Sequence, residues 1–206
     1  VIVVINLDLG NAGSILNMLK KIGAEAGLSA RPEDIKQADK IILPGVGSFD
    51  HAVSNLEKLM LRDVLEERVR KEEIPILGIC LGAQLMTAGS QEGTLPGLGW
   101  IAGRTVRFDF GDNPHRLKIP HMGWNQIRLR KENMLFHSLG DREETRFYFV
   151  HSYHIVCDNQ EDILAISYYG HEFTAAFARD NIYGVQFHPE KSHRFGMRIL
   201  ENFVGL

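Results

Sequence analysis

The sequence predicts an α/β fold, with a mainly parallel central sheet flanked by helices and an antiparallel β extension. Short β-branched apolar runs alternate with amphipathic stretches from Val1 to Met86, as a parallel sheet covered on both faces requires. From Leu98 the character changes to shorter β-rich pieces separated by turn residues. The chain has 206 residues, 44% of them apolar; that suits one domain, residues 1–206, with a sizeable core.

Val1 to Ile5 reads as the first central strand. A polar turn, Asn6-Leu-Asp-Leu-Gly10-Asn11, leads to a helix from about Gly13 to Ile22, which buries Ile15, Leu16, Met18, Leu19 and Ile22. Lys40 to Leu43 is the next apolar strand, and it ends in Pro44-Gly-Val-Gly47-Ser-Phe. Two glycines at a strand's carboxyl end let backbone N–H groups turn toward a ligand; a plain glycine turn reads the same way. Asp50 to Val69 has the apolar spacing of one amphipathic helix, with Val53, Leu56, Leu59, Val64, Leu65 and Val69 inward.

Pro75-Ile-Leu-Gly-Ile-Cys80-Leu-Gly-Ala-Gln84 follows as a buried strand running into a helix, with Cys80 where the period changes. Gly78 and Gly82 flank it in the spacing of a nucleophile elbow, whose tight turn has no room for Cβ atoms. Such a turn would lift the thiol out of the sheet toward a helix N-terminus that favours thiolate. An inert buried cysteine fits the same five residues.

Beyond Leu98, Gly99-Trp-Ile-Ala, Thr105-Val-Arg-Phe, Gln126-Ile-Arg-Leu and Phe147-Tyr-Phe-Val150 read as an antiparallel layer, with a polar turn from Asp109 to Pro114. Ile119-Pro-His-Met-Gly-Trp-Asn125 is too rich in distinctive side chains for ordinary loop filler. Ile163 to Ser167, Phe173 to Phe177 and Ile182 to Phe187 are further strands, and Ser192 to Leu206 is a closing helix. Between them stands His188-Pro-Glu190. Proline holds the preceding residue extended, so His188 and Glu190 should share a face, an imidazole with a carboxylate to orient it.

Composition narrows the classes. A formal net charge of −3 argues against binding a nucleic-acid backbone. There is no apolar run long enough to span a membrane, and Val1 to Ile5 is too short for a signal peptide. Cys80 and Cys157 make no disulfide framework, so a reducing cytoplasm is the expected compartment; Cys157 reads as apolar filler on a strand. The pairs His115/His121 and His151/His154 match no zinc spacing, so neither a metal nor another cofactor is expected.

Gly-Ile-Cys80-Leu-Gly, with Pro-Gly-Val-Gly upstream and Gln-Phe-His188-Pro-Glu190 downstream, resembles the class I glutamine amidotransferases over essentially the whole chain. The resemblance implies a flavodoxin-like sheet and a Cys80-His188-Glu190 triad acting on glutamine. Backbone N–H groups at Gly47 and Leu81 would hold the oxyanion, and Gln84, Glu92, Ser152 and Tyr153 the substrate, with Glu92 on its α-ammonium. Within the family, Pro120 to Asn125 and Tyr148 to Tyr153 are similar to glutaminase subunits of histidine biosynthesis. Those pass ammonia to a separate cyclase subunit, a (β/α)8 barrel, in a heterodimer, which implies that Asn11, Met122 and Trp124 face the partner and the ammonia exit.

A paralogous group in surface-polysaccharide pathways also resembles the chain at Gly13 to Gly23 and after Glu190, which implies the alternative of ammonia supply for an amidino sugar. The first turn departs from the family's usual Asp-Tyr-Gly-x-Gly-Asn, and Ala83 stands where the family usually has Met.

Overall fold

The computed structural model describes residues 1–7, 12–111, 117–139 and 145–206. The amino-terminal half builds the parallel sheet: β1 (Ile2–Ile5), α1 (Ala12–Lys21), β2 (Ala26–Ser29), α2 (Pro32–Lys36), β3 (Lys40–Leu43), α3 (Phe49–Lys58), α4 (Leu61–Leu65), β4 (Ile76–Ile79) and α5 (Leu81–Leu85). The remainder adds β5 (Gly103–Arg107), β6 (His121–Gln126), β7 (Arg128–Leu129), β8 (Arg146–His151), β9 (Tyr153–Cys157), β10 (Ile163–Tyr169), β11 (His171–Arg179), β12 (Ile182–Val185) and α6 (His193–Val204).

The main sheet runs β2-β1-β3-β4-β12-β11-β10-β7. It is parallel from β2 through β12 and antiparallel from β12 through β11 and β10 to β7. β9 joins β11, β5 joins β9, and β6 pairs with β8 in a separate antiparallel ribbon. The predicted α/β class, with its parallel centre and antiparallel extension, is the observed one.

Side-chain alternation along the strands feeds two cores. Val3, Ile5, Ile41, Leu43 and Ile76 pack with Phe49, Leu56, Leu61 and Leu65 of α3 and α4 on one face. Ile2, Val4, Ile42 and Leu77 pack with Ile15 and Leu19 of α1 and Leu200 and Phe203 of α6 on the other. Ala83 is fully buried in the first core.

Three elements differ from expectation. β2, Ala-Gly-Leu-Ser, was not expected; it is an edge strand with two exposed residues, held to β1 by its backbone rather than by β-branched side chains. The expected helix from Asp50 to Val69 is broken at Met60, which takes φ 56°, and continues beyond Leu65 as a π-helical stretch, Glu66–Lys71. Apolar spacing runs through that break because Leu59 and Leu61 both face the core. Gly99 to Ala102 forms no strand: Trp100 N and Ile101 N donate to Met86 O at 2.9 and 3.0 Å, completing the end of α5. The Ile119 to Asn125 segment is largely strand, since His121 to Asn125 lie in β6. Of the polar turns, Asp8 to Asn11 and Asp112 to Pro114 lie outside the described residues.

Among the described residues, no helix is long and apolar enough to cross a membrane, and no cluster of His, Cys, Asp and Glu could hold a metal ion.

Candidate active site

Three neighbouring parallel strands, β3, β4 and β12, end side by side: Leu43 pairs with Gly78, and Ile79 with Val185. Their carboxyl ends carry Pro44 to Ser48, Cys80, and Gln186 to Glu190. The sheet order thus brings together three motifs far apart in sequence, at the place where open α/β sheets bind ligands.

Cys80 follows β4 directly and takes φ 52°, ψ −110°. A non-glycine residue held there stores about 1–3 kcal/mol of backbone strain. The surroundings enforce the turn. A Cβ on Gly82 would lie 1.7 Å from Leu43 O, and one on Gly78 would lie 2.7 Å from the Ala83 backbone. α5 is only five residues long, so it offers the unpaired N–H groups of a first turn more than a long dipole. Cys80 is 6% exposed and lines a cleft of about 500 Å³. Gly47, Leu81, Gln84, Glu92, Ser152 and Tyr153 line the same cleft, with Pro120, Val150, His151 and Lys191.

His188 and Glu190 are buried beside Cys80, each side chain 1% exposed. His188 Nδ1 lies 2.7 Å from Glu190 Oε1. The pairing expected from Pro189 is present with different backbone: His188 is extended, but Pro189 to Lys191 form a 3-10 turn. Ser192 anchors the imidazole's backbone, its Oγ donating to His188 O at 2.6 Å and accepting from Tyr148 N at 3.0 Å. His188 Nε2 is buried and has no partner of standard hydrogen-bond geometry among the described residues. Burial pushes the ring's pKa down, but the charge and hydrogen bonding of Cys80 and then Glu190 outweigh it and hold the pKa up at about 10.

The other histidines near the cleft behave oppositely. Burial pushes His121 and His154 down to about 4 and His151 to about 3, so these rings are neutral at neutral pH. Cys157 lies buried on β9, and burial pushes its thiol up to about 12, as an inert filler should be.

Gln84 is placed at the cleft, but both hydrogens of its amide are committed inward. Nε2 donates to Tyr153 O at 3.0 Å and to Gln186 Oε1 at 3.2 Å, so Oε1 is the atom turned to other uses. Gln186, fully buried, then donates from Nε2 to Cys80 Sγ at 3.7 Å. Gln186 is not among the residues expected at the site; the one signal for it in the sequence is a polar residue closing the apolar run Ile182 to Val185. Met122 and Trp124 stand apart from the cleft, 62% and 46% exposed on one face of β6. Trp124 stacks on His193, ring centroids 5.3 Å apart. Asn11 lies outside the described residues.

A cysteine on a strand-to-helix elbow, beside a buried histidine and carboxylate, is the arrangement that acyl transfer by a cysteine nucleophile requires. Residues 3–205 match the glutamine amidotransferase class-I family, and the chain belongs to that family. Two curated relatives share the name imidazole glycerol phosphate synthase subunit HisH 2. That of Methanococcus maripaludis is 51% identical over 98% of each chain. That of Pseudomonas aeruginosa is 52% identical over 100% of this chain and 99% of its own. A crystal structure of a glutamine amidotransferase superposes with a TM-score of 0.73 over 100% of both chains at 18% identity, a likeness of fold alone.

Proposed function

We infer that this chain is the glutaminase subunit of imidazole glycerol phosphate synthase, releasing ammonia from glutamine for histidine biosynthesis. The observation that carries the reading is the convergence of Cys80, His188, Glu190 and Gly47 at the ends of three adjacent strands. Near-complete coverage by curated HisH relatives supports the pathway.

Cys80 as thiolate attacks the side-chain carboxamide carbon. The C–S bond forms while the carbonyl π electrons move to oxygen, which the N–H groups of Gly47 and Leu81 receive. His188, held protonated, gives its Nε2 proton to the departing nitrogen, and the C–N bond breaks to free ammonia. Glu190 orients the ring and stabilises its positive charge. Water then attacks the thioester, His188 takes a proton from it, and glutamate leaves with the thiolate restored. Gln186 donates to Cys80 Sγ and holds the sulfur in place for the attack. Glu92 receives the substrate's α-ammonium, and Gln84, Ser152 and Tyr153 complete the binding wall.

The partner is a cyclase subunit of (β/α)8 barrel form, in a cytoplasmic heterodimer. Met122 on β6 pairs with Val150 on β8, and the Val150 carbonyl lies 4.0 Å from Cys80 Sγ. Ammonia formed at the sulfur therefore has a short way past Val150 to the exposed face bearing Met122 and Trp124, where the barrel docks.

The triad is tested through pH. The imidazolium of the ion pair is lost as pH rises through about 10, and this sets the alkaline limb of glutamate release. Glu190→Gln removes a group that raises the His188 pKa, so the limb moves toward neutral pH and the rate at neutral pH falls about 10²-fold. The same shift links to stability. A folded-state pKa above the usual 6.5 stabilises the chain fully below pH 6.5, and that contribution disappears as pH rises toward about 10. A Glu190→Gln profile superposing on the wild type would contradict the assignment.

A further inference from the structure

The loop that carries Glu92 and the first turn of α3 hold each other by hydrogen bonds that the chemistry above does not use. Glu92 Oε2 accepts from Phe49 N at 2.9 Å, at a helix start where Ser48 makes no side-chain cap. Asp50, on the same turn, reaches back to the loop. Its Oδ2 accepts from Thr94 N at 2.9 Å and Thr94 Oγ1 at 3.3 Å, and its Oδ1 accepts from Leu95 N at 3.0 Å. A Cβ on Gly93 would lie 1.9 Å from Asp50 Oδ1, so the carboxylate rests directly against the loop backbone. The backbone donors at Thr94 and Leu95 hold the Asp50 carboxyl below the usual carboxylate range.

We propose that Asp50 is a positioning residue for substrate binding: it clasps loop 92–95 so that Glu92 stands at the cleft to receive the α-ammonium of glutamine. The inference rests on the reading of Glu92 as the ammonium-binding carboxylate. Donors converge on both Asp50 oxygens, so the position needs an acceptor at each. An asparagine keeps the volume but turns an NH2 group toward a backbone N–H, which opens the clasp.

The test uses the full chain with its barrel partner. In Asp50→Asn the KM for glutamine rises about tenfold while kcat stays within about twofold, the signature of binding lost equally from the ground and transition states. Cys80 is then titrated with two electrophiles. Alkylation by 6-diazo-5-oxo-L-norleucine, which carries an α-ammonium, slows by the same factor at low reagent concentration; alkylation by iodoacetamide, which carries none, keeps its rate. Equal slowing of both reagents, or of neither, would overturn the proposal. If Asp50→Asn does not fold, Gly93→Ala, whose Cβ displaces the Asp50 carboxylate, carries the same comparison. Glu92→Gln is measured in parallel. An unchanged KM there refutes the ammonium role of Glu92 itself. A raised KM there with an unchanged KM in Asp50→Asn refutes only the clasp. Adding Asp50→Asn to Glu92→Gln raises KM no further, because both substitutions break one interaction.

Discussion

Replacing Cys80 with alanine is expected to lower glutamate release by about 10⁴-fold or more, since a nucleophile removed from a coupled triad costs nearly the whole chemical acceleration. Partner binding should be unaffected. Cys80 is buried at the elbow, whereas the surface assigned to the partner, Met122 and Trp124, lies on β6 with its exposed side chains. Synthesis from added ammonia by the complex should therefore survive in Cys80→Ala. Alanine is smaller than cysteine and leaves the backbone requirement at φ 52° unchanged, so a folding defect is not the expected cause of the loss. Glutamate release at wild-type rate would remove Cys80 from the mechanism. Loss of both ammonia-dependent synthesis and complex formation would show that its role is structural.

The largest effect on stability is expected at Gly82. A methyl there would meet Leu43 O at 1.7 Å. The overlap is with backbone at the point where β3 and the elbow touch, so no side-chain rotation relieves it. Gly82→Ala should destabilise the chain by about 3 kcal/mol or more. For a chain of this size that is a fall in Tm of about 10 °C. Glutaminase activity should fall with it at temperatures where the protein is still folded, because separating β3 from α5 moves Gly47 and Leu81 apart. Gly13→Ala is the contrast: it lies in α1 with no atom of the described residues within 4 Å of the new methyl, and should be neutral or slightly stabilising. Equal melting temperatures for the two variants would refute the steric account of the elbow.

The central strands were legible because they rest on a local rule, that β-branched runs make buried strands. The pairing of His188 with Glu190 was expected from extended backbone through Pro189, but the two side chains meet across a 3-10 turn instead, so only the extended His188 followed the rule. The elbow was legible from Gly78 and Gly82, whose missing Cβ atoms are visible in any sequence. β2 was not, because an edge strand held by backbone pairing needs no β-branched residues. Nor was the break at Met60, where a left-handed residue without glycine or proline leaves the apolar spacing intact. Gln186 escaped for a different reason. Its contact with Cys80 joins two strands more than a hundred residues apart, and only the adjacency of β4 and β12 brings them together. The clasp between Asp50 and loop 92–95 likewise depends on where a loop falls against a helix start, which no spacing along the chain encodes.

The most direct measurement is glutamate release from glutamine by this chain mixed with the barrel subunit from its own genome, with and without the ribonucleotide acceptor of the histidine pathway. The account predicts that the acceptor strongly stimulates glutamate release by the complex and that each ammonia is matched by one turnover of the acceptor. A complex that forms but releases glutamate at the same rate with and without that acceptor would contradict it.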